Sequence, residues 1–255
     1  MTPRTRRALV TGGASGLSAG IAAAIAAQGF ERVAITYRSN DPAQSIRAIE
    51  SAGARASATR LDFHGEIETV AGELERLVAA EGPFDTLVHG VGELTVKRFV
   101  NLSLGDYARA FDANTRSGIL AARAVLPAMR EAGFGRIVFF GGFGSSATLP
   151  FRGFSLHQAA KSALVAFARV LAIEEASHGI TVNVVEPGDI RDKTAGREEV
   201  RKRTSSIPRG RPGSFEDIAD VVCFLVAPER DFVTGAVIAV TGGLTQADGR
   251  NAEHS

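Results

Sequence analysis

The chain has 255 residues, with 29 Lys and Arg against 28 Asp and Glu and a formal net charge of +1. Its 45% hydrophobic and 22% charged residues exclude a disordered chain and allow a sizeable core. The near-zero charge gives no reason to expect a nucleic acid or an anionic membrane as partner. We find no apolar run as long as a membrane span needs. The single cysteine, Cys223, excludes an internal disulfide and suits a reducing cytoplasm, where we expect the protein.

Runs of β-branched and aromatic residues alternate along the chain with longer segments of helical period. The predicted strands are Ala8–Thr11, Arg32–Tyr37, Ala56–Leu61, Thr86–His89, Arg136–Phe140, Thr181–Val185 and Ala236–Val240. The predicted helices include Ser18–Gln28, Pro42–Ala52, Glu66–Ala80, Leu104–Glu131, Ser155–Ser177 and Phe215–Ala227. This alternation predicts an α/β fold with a parallel sheet covered by helices on both faces. No linker divides the chain, so we expect one domain over residues 1–255 with a frayed polar tail at 246–255.

A glycine-rich loop joins the first strand to an alanine-rich helix. Glycines permit the tight turn and let the backbone approach a pyrophosphate, and the helix N-terminus offers N–H groups and a positive dipole end. A plain turn is the alternative interpretation of a glycine cluster. The strand–loop–helix context favours nucleotide binding, and the predicted contacts are Gly12, Gly13, Ser15, Gly16 and Leu17.

With its spacing Thr11-Gly12-x-x-x-Gly16, the chain resembles the short-chain dehydrogenase/reductase family. The similarity runs over nearly the whole chain and includes Asp62, Asn114 in FDANTRSG, Lys161 and the turn Pro187-Gly188. The segment RGRPGSFEDIADVVCFLVAPERDFVTGAVIAVTGG, from Arg209 onward, is similar to the 3-oxoacyl-carrier-protein reductase branch. The resemblance implies a single doubly wound Rossmann-type domain with a seven-stranded parallel sheet flanked by helices. It also implies a homotetramer, with interfaces on the helices Leu104–Glu131 and Ser155–Ser177.

The tip of the second strand indicates the cofactor. In Rossmann domains an acid there binds the ribose 2′-OH of NAD, whereas an Arg accommodates a 2′-phosphate. The tip contains Arg38, which is suited to pair with a phosphate, and Ser39, which is suited to add a hydrogen bond. Asp41 is interpreted as the cap of the next helix. An Arg at a strand end is also often only a surface charge, but its place in this loop predicts NADP(H).

Further cofactor contacts follow from the resemblance and from position. The resemblance makes Asp62 an adenine contact and Lys161 the group that holds the nicotinamide ribose. His89 ends the fourth strand on the expected cofactor side. The turn after the sixth strand supplies the remaining predicted contacts Pro187, Gly188 and Ile190.

The catalytic positions depart from the family's pattern. The family uses a Tyr as acid or base, a Ser that holds the substrate oxygen, and a Lys four residues after the Tyr, one turn along the same helix face. Four residues before Lys161 stands His157, and no Tyr follows Tyr107. The Ser position reads Gly141-Gly142, and Ser145 and Ser146 follow a little later, so that one of them, with Ser145 as the chosen candidate, is available to hold the substrate oxygen.

His157 allows two interpretations. An imidazole has a pKa of about 6.5, and both burial and the neighbouring Lys161 disfavour its protonation. A neutral imidazole is still able to polarise a carbonyl or to accept a proton from an alcohol. His157 is then the acid or base, with Asn114 organising a relay toward Lys161. The alternative is a non-catalytic NADP(H)-binding sensor or scaffold, in which His157 lines an inactive pocket.

We therefore predict an NADP(H)-dependent oxidoreductase that exchanges a hydride with a small carbonyl or alcohol substrate, with 3-oxoacyl compounds as one candidate class. Phe143, Phe151 and Phe154 suggest an apolar or aromatic ligand, although they also suit the packing of a lid. No HExxH, CxxC or GxSxG motif is present, so we expect neither a metal site nor an α/β-hydrolase. His64 is interpreted as a surface residue.

Overall fold

The computed structural model describes residues 5–190 and 192–244, and the predicted frayed tail at 246–255 lies outside this part of the chain. The strands form one sheet in the order β3-β2-β1-β4-β5-β6-β7, and every neighbouring pair is parallel. They are β1 (Arg7–Thr11), β2 (Arg32–Tyr37), β3 (Arg55–Arg60), β4 (Thr86–His89), β5 (Gly135–Phe140), β6 (Ile180–Pro187) and β7 (Val237–Val240). The predicted seven-stranded parallel sheet is confirmed.

Helices cover both faces of this sheet. They are α1 (Gly16–Ala26), α2 (Ala43–Ser51), α3 (Ile67–Glu81), α4 (Leu104–Phe111), α5 (Ser117–Ala132), α6 (Ser155–Glu175), α7 (Arg197–Val200) and α8 (Phe215–Val226). Successive residues of a strand face opposite sides of the sheet. Ala8 and Val10 therefore pack into the core with α1 and α8, whereas Leu9 packs into the core with α5 and α6.

The helix predicted over Leu104–Glu131 is interrupted, so the prediction of one regular helix is wrong. A π-helical turn, Asp112–Arg116, separates α4 from α5. Side chains there compete with backbone amides for helix carbonyls, which favours a widened turn. Asn114 Nδ2 donates to Ala110 O at 2.9 Å, and Ser117 Oγ donates to Ala113 O at 2.7 Å. The wide turn leaves Asn114 completely buried.

Helix α6 crosses the core beneath the carboxyl end of β5. With the short turn that follows, the segment Ser155–His178 is long and apolar enough in composition to cross a membrane, which the search for uninterrupted apolar runs did not reveal. In the fold, its apolar side chains Leu164, Val165 and Ala168 are buried in the core shared with α5. Core packing therefore accounts for the apolar residues on the inner face of this helix.

Replacing Leu164 with Ala is expected to lower the free energy of unfolding by about 2–5 kcal/mol. Leu164 is fully buried. Its Cδ1 packs so closely on α5 that a Cβ built on Gly118 would lie only 2.9 Å away. Close packing of this kind limits how far the neighbouring atoms can move into the cavity that the substitution leaves. Urea unfolding followed by circular dichroism measures the change. Arg47→Ala, on the exposed side of α2 and away from the proposed interface helices, is the control and should change this free energy by less than about 0.5 kcal/mol. Equal effects of the two substitutions would contradict this packing of α6.

Candidate active site

A cavity of about 930 Å³ opens at the carboxyl ends of the central strands. It lies where the strand order reverses between β1 and β4, which is where open parallel sheets bind ligands. Most of the predicted site residues line it together. They are Gly12, Ser15, Gly16, Leu17, Arg38, Ser39, Asp62, Asn114, His157, Lys161, Pro187, Gly188 and Ile190.

The glycine loop brings backbone to the cavity wall. Gly12 and Gly16 have φ angles of +69° and +61°, in the left-handed region that favours glycine. Gly12 N–H donates to Thr36 Oγ1 at 3.1 Å, which ties the loop to β2. Helix α1 then begins at Gly16, two residues before the predicted Ser18, and its first turn contains no acidic side chain. Its N-terminus is therefore suited to an anion.

Gly13 differs from its neighbours in the loop because it does not line the cavity. A Cβ on Gly13 would lie 2.6 Å from Ile35 Cγ2, and its N–H donates to Thr36 O at 2.9 Å. Gly13 thus serves the packing of the loop on β2, and its role as a cofactor contact stays a prediction.

The tip of β2 presents a cation to the cavity. Arg38 is exposed there and forms no ion pair within the described part of the chain. Asp41, the next acid in the sequence after this tip, accepts a hydrogen bond from Ala43 N–H at 3.0 Å. Its predicted capping role is wrong, because the N-cap residue of α2 is Pro42 and no side chain caps this helix. Asn40 Nδ2 donates to Ser15 Oγ at 2.7 Å and joins the tip to the glycine loop.

The turn after β3 places two more side chains at the wall. Asp62 lines the cavity, and its Oδ1 accepts a hydrogen bond from His64 N–H at 3.1 Å. His64 also lines the cavity, with Nε2 at 3.6 Å from Glu93 Oε2. His64, interpreted from the sequence as a surface residue, is thus half-buried at the cavity wall.

His89 lies beneath the cavity and does not line it. Its Nδ1 is 2.8 Å from Thr11 Oγ1 and its Nε2 is 2.9 Å from Ser117 Oγ. Burial, with a smaller contribution from the Lys161 charge, lowers the pKa of His89 to about 3. Contrary to the prediction of a cofactor contact, this neutral ring is a buried bridge that joins β1, β4 and α5.

Lys161 is a buried cation at the base of the cavity, with 6% of its surface exposed. Its Nζ donates to Phe140 O at 2.8 Å. Burial lowers the pKa of Lys161 to about 8, and the positive charge of Lys193 acts in the same direction. A Cβ on Gly92 would lie 3.2 Å from this Nζ and 3.0 Å from Asn114 Oδ1, so the glycine permits their close approach.

His157 lies one turn before Lys161 on α6 and lines the cavity. Its Nδ1 is 3.1 Å from the carbonyl oxygen of Glu93. Burial first, and the Lys161 charge second, lower the pKa of His157, while the Glu93 carbonyl opposes them. A Cβ on Gly142 would lie 3.2 Å from His157 Nε2, so the glycine at the family's Ser position leaves space beside the ring.

The main-chain groups of Glu93 are a part of the site that sequence reasoning missed. Asn114 Nδ2 donates to Glu93 O at 2.8 Å, and Glu93 N–H donates to Asn114 Oδ1 at 3.2 Å. The same carbonyl faces His157. A contact made through the peptide group has no side-chain signature, so no residue type in the sequence pointed to it.

Ser145 is turned away from the cavity. Its side chain is 1% exposed, and its Oγ donates to Glu186 Oε1 at 2.7 Å and accepts from Gly142 N–H at 3.1 Å. The structure thus contradicts the prediction that Ser145 holds a substrate oxygen, because a buried carboxylate engages its hydroxyl. A Cβ on Gly141 would lie 2.9 Å from Glu186 Cγ, so the glycine leaves room for this acid.

Lys193 is a second cation that sequence reasoning missed. It lines the cavity, and its Cδ lies 3.5 Å from the place of a Cβ on Gly16, above the start of α1. The preceding Asp192 turns into its own loop, where its Oδ1 accepts hydrogen bonds from Thr194 N–H at 3.0 Å and Ala195 N–H at 3.1 Å. The sequence shows a basic residue after the Pro187-Gly188 turn, but only the folded loop places it over the glycines.

Aromatic rings form a wall beside His157. Phe143 and Phe154 line the cavity. Ring centroids are 5.5 Å apart for Phe143 and Phe151, 6.0 Å for Phe151 and Phe154, and 6.1 Å for Phe154 and His157. The acid–base candidate therefore adjoins an apolar surface.

Comparisons with known proteins agree with this geometry. A family profile described as enoyl-(acyl carrier protein) reductase matches residues 12–245. The 3-oxoacyl-[acyl-carrier-protein] reductase of Escherichia coli is 32% identical over 240 residues, which cover 93% of this chain and 96% of the relative. The acetoacetyl-CoA reductase of Shinella zoogloeoides is 32% identical over 249 residues, covering 94% and 98%. The crystal structure of acetoin dehydrogenase from Enterobacter cloacae matches with a TM-score of 0.84 at 29% identity, covering 95% and 96%. The chain therefore belongs to the short-chain dehydrogenase/reductase family of oxidoreductases.

Proposed function

We propose that the protein is an NADP(H)-dependent oxidoreductase that interconverts a small carbonyl compound and its alcohol, with His157 as the acid–base group. The observation that carries this proposal is the convergence of His157 and Lys161 with the glycine loop on one cavity. When bound, the dinucleotide delivers the hydride to the carbonyl carbon or accepts it from the alcohol. The residues of the chain bind and orient the reactants and move the proton.

The residues present fit a phosphorylated dinucleotide. Arg38 is an exposed cation at the β2 tip with no ion pair among the described residues, and Asp41 accepts a hydrogen bond from Ala43 N–H, which favours a 2′-phosphate over a bare ribose. The N-terminus of α1 and the ammonium of Lys193 both suit a pyrophosphate. We assign the rest of the cofactor surface to Ser39, Asp62, Pro187, Gly188 and Ile190.

Lys161 and His157 have different proposed roles, in cofactor binding and in proton exchange. The Lys161 ammonium has three N–H donors, of which one is used by Phe140 O, so two are available for ribose hydroxyls. A cation at this place also opposes the protonation of His157. We propose that His157 Nε2, beside Gly142, exchanges a proton with the substrate oxygen.

The relatives' names suggest the substrate class. They include reductases of 3-oxoacyl and acetoacetyl thioesters and an acetoin dehydrogenase. The wall formed by Phe143 and Phe154 beside His157 favours a substrate with an apolar group next to the reacting carbon. We propose a small oxo or hydroxy compound of this kind, in a cytoplasmic setting.

A non-catalytic NADP(H)-binding protein is the second candidate. The observation that favours it is the missing hydroxyl at the oxygen-holding position, since Gly142 has no side chain and Ser145 is bonded to Glu186. The two candidates share the cofactor site and differ in whether His157 transfers a proton. Substitutions at His157 therefore separate them.

For the cofactor, we expect the unmodified protein to bind NADPH at least tenfold more tightly than NADH, about 1.4 kcal/mol. Arg38→Ala should remove most of this difference and leave NADH affinity unchanged, because only NADPH carries the 2′-phosphate. Lys193→Ala is the matched comparison and should weaken both cofactors by the same factor, because both carry the pyrophosphate. Fluorescence titration gives the affinities. Equal binding of the two cofactors to the unmodified protein would contradict the role of Arg38.

For the acid–base group, we expect His157→Phe to lower turnover by roughly 10²–10⁴ while cofactor affinity barely changes. The substitution keeps a planar ring and removes both nitrogens. NADPH absorbance with a panel of 3-oxoacyl thioesters and acetoin measures the rate.

His157→Tyr restores the family's pattern beside Lys161 and is the complementary variant. Undiminished turnover by His157→Phe would eliminate His157 as the proton carrier. Turnover by His157→Tyr alone would favour the non-catalytic candidate.

For the assembly, we propose a homotetramer with interfaces on α5 and α6. Val170 and Ile173 on α6 are 55% and 79% exposed, which is unusual for large apolar side chains in neighbouring positions. Light scattering should give four times the 26.7 kDa of one chain. Ile173→Glu should reduce this mass, whereas Gln44→Glu, which adds the same charge on α2, should not. A monomeric unmodified protein would contradict the proposal.

A further inference from the structure

We infer that the Glu93 peptide, clamped by Asn114, holds His157 in its Nδ1–H tautomer, so that the neutral ring presents an unprotonated Nε2 to the cavity. His157 is then preset to accept a proton from an alcohol, and carbonyl reduction must begin from the imidazolium. The inference deepens the proposed function and rests on it for its consequence in catalysis. The tautomer itself is a property of the ligand-free chain.

The tautomer follows from the hydrogen bond at 3.1 Å between His157 Nδ1 and Glu93 O. A carbonyl oxygen only accepts, so Nδ1 must carry the hydrogen, and a neutral imidazole carries only one. Nε2 is left with a lone pair. It has no hydrogen-bond partner among the residues that the structure describes, and it lies beside the space that Gly142 leaves open.

Asn114 fixes the direction of that carbonyl. Its Nδ2 donates to Glu93 O at 2.8 Å and to Ala110 O at 2.9 Å, while its Oδ1 accepts from Glu93 N–H at 3.2 Å. These three bonds determine the orientation of the amide, because exchanging its oxygen and nitrogen would place the oxygen against two carbonyl acceptors and the nitrogen against one N–H donor. The backbone of Glu93 is thus held at its N–H and at its C=O, which belong to the two peptide groups that flank its Cα, and Asn114 is a positioning residue for His157.

The charges around His157 favour the neutral ring. Lys161 faces it from its own helix, and Lys193 lies across the cavity. The Glu93 carboxylate comes from the loop after β4, but it lies 3.5 Å from Arg109 Nε on α4 and 3.6 Å from His64 Nε2. Glu93 therefore offers His157 its carbonyl, while its carboxylate is engaged by these other groups.

The consequence is an assignment of proton steps. In alcohol oxidation the O–H bond breaks and its proton goes to Nε2, while the hydride of the same carbon goes to the oxidised dinucleotide, leaving a carbonyl and an imidazolium. In reduction a hydride adds to the carbonyl carbon, the electron pair of the C=O π bond moves to the oxygen, and the imidazolium returns its proton to that oxygen. The ratio of the two rate constants must change tenfold per pH unit, because one proton is released in oxidation. If His157 is the proton donor, the rate constant for reduction carries this change at pH values above the pKa of His157, because the imidazolium fraction falls there with rising pH.

Kinetics test this assignment with the best substrate pair from the carbonyl panel. Between about pH 6.5 and 7.5, below the Lys161 pKa of about 8, kcat/KM for reduction should fall about tenfold per pH unit, as the imidazolium fraction falls. The same constant for oxidation should stay level. A level reduction profile with a rising oxidation profile would instead identify a donor that is protonated at neutral pH, and it would overturn the inference.

Nuclear magnetic resonance tests the tautomer without substrate or cofactor. In protein labelled with ¹⁵N in its histidine rings, His157→Phe assigns the His157 signals by their loss. At pH 7.5 we expect a protonated Nδ1 and an unprotonated Nε2. A protonated Nε2 in the neutral ring would overturn the inference, whatever the activity measurements show. A protein with this tautomer but no turnover would leave the inference about the ring intact and contradict the proposed function.

One substitution tests the hydrogen bonds between Asn114 and the Glu93 backbone, and a second substitution is its control. Asn114→Ala should turn the single His157 tautomer into a mixture, because the Glu93 backbone loses both anchors. Thr115→Val removes the bond of 2.7 Å from Thr115 Oγ1 to Ala160 O in the same π-helical turn and should leave the tautomer unchanged. A single Nδ1–H tautomer in a folded Asn114→Ala protein would contradict the positioning role. If that variant does not fold, the tautomer of the unmodified protein and its pH profiles still decide the inference.

Discussion

The parallel arrangement of the strands is the constraint on which the site depends. Because every crossover returns the chain to the same edge, the carboxyl ends of all seven strands meet there. The helices on the two faces diverge where the order reverses between β1 and β4, and the cavity opens at this point. The glycine loop, the β2 tip and the start of α6 belong to distant parts of the sequence, yet each enters the cavity from that edge.

Missing side chains bring the polar groups of the site together. Gly92 has no Cβ to separate Asn114 from Lys161, and Gly142 has none to press on His157. Burial is the main cause that lowers the pKa of both Lys161 and His157, with the Lys193 charge as the second cause for Lys161 and the Lys161 charge as the second cause for His157. Shifts of this kind, in a cavity and with a specific charge partner, are typical of functional sites.

The buried carboxylate of Glu186 changes the chemistry of the neighbouring loop. It accepts hydrogen bonds from Ser145 Oγ at 2.7 Å and from Ser146 N–H at 2.6 Å. These bonds satisfy a carboxylate that is 4% exposed, and leaving it unsatisfied would be costly. The first of these bonds also keeps the Ser145 hydroxyl out of the role that the family gives to a serine.

Local patterns in the sequence were sufficient for the sheet, the glycine loop and the pairing of His157 with Lys161, because strand alternation, a strand–loop–helix turn and a spacing of four residues are properties of short segments. Contacts between distant segments were not predictable in this way. His89 became a buried bridge, Ser145 bonded Glu186, and the Glu93 carbonyl faced His157 only because separate loops fold against one another. A peptide carbonyl is the same at every position of a sequence, so its direction, and with it the protonation of the imidazole, is decided by tertiary structure alone.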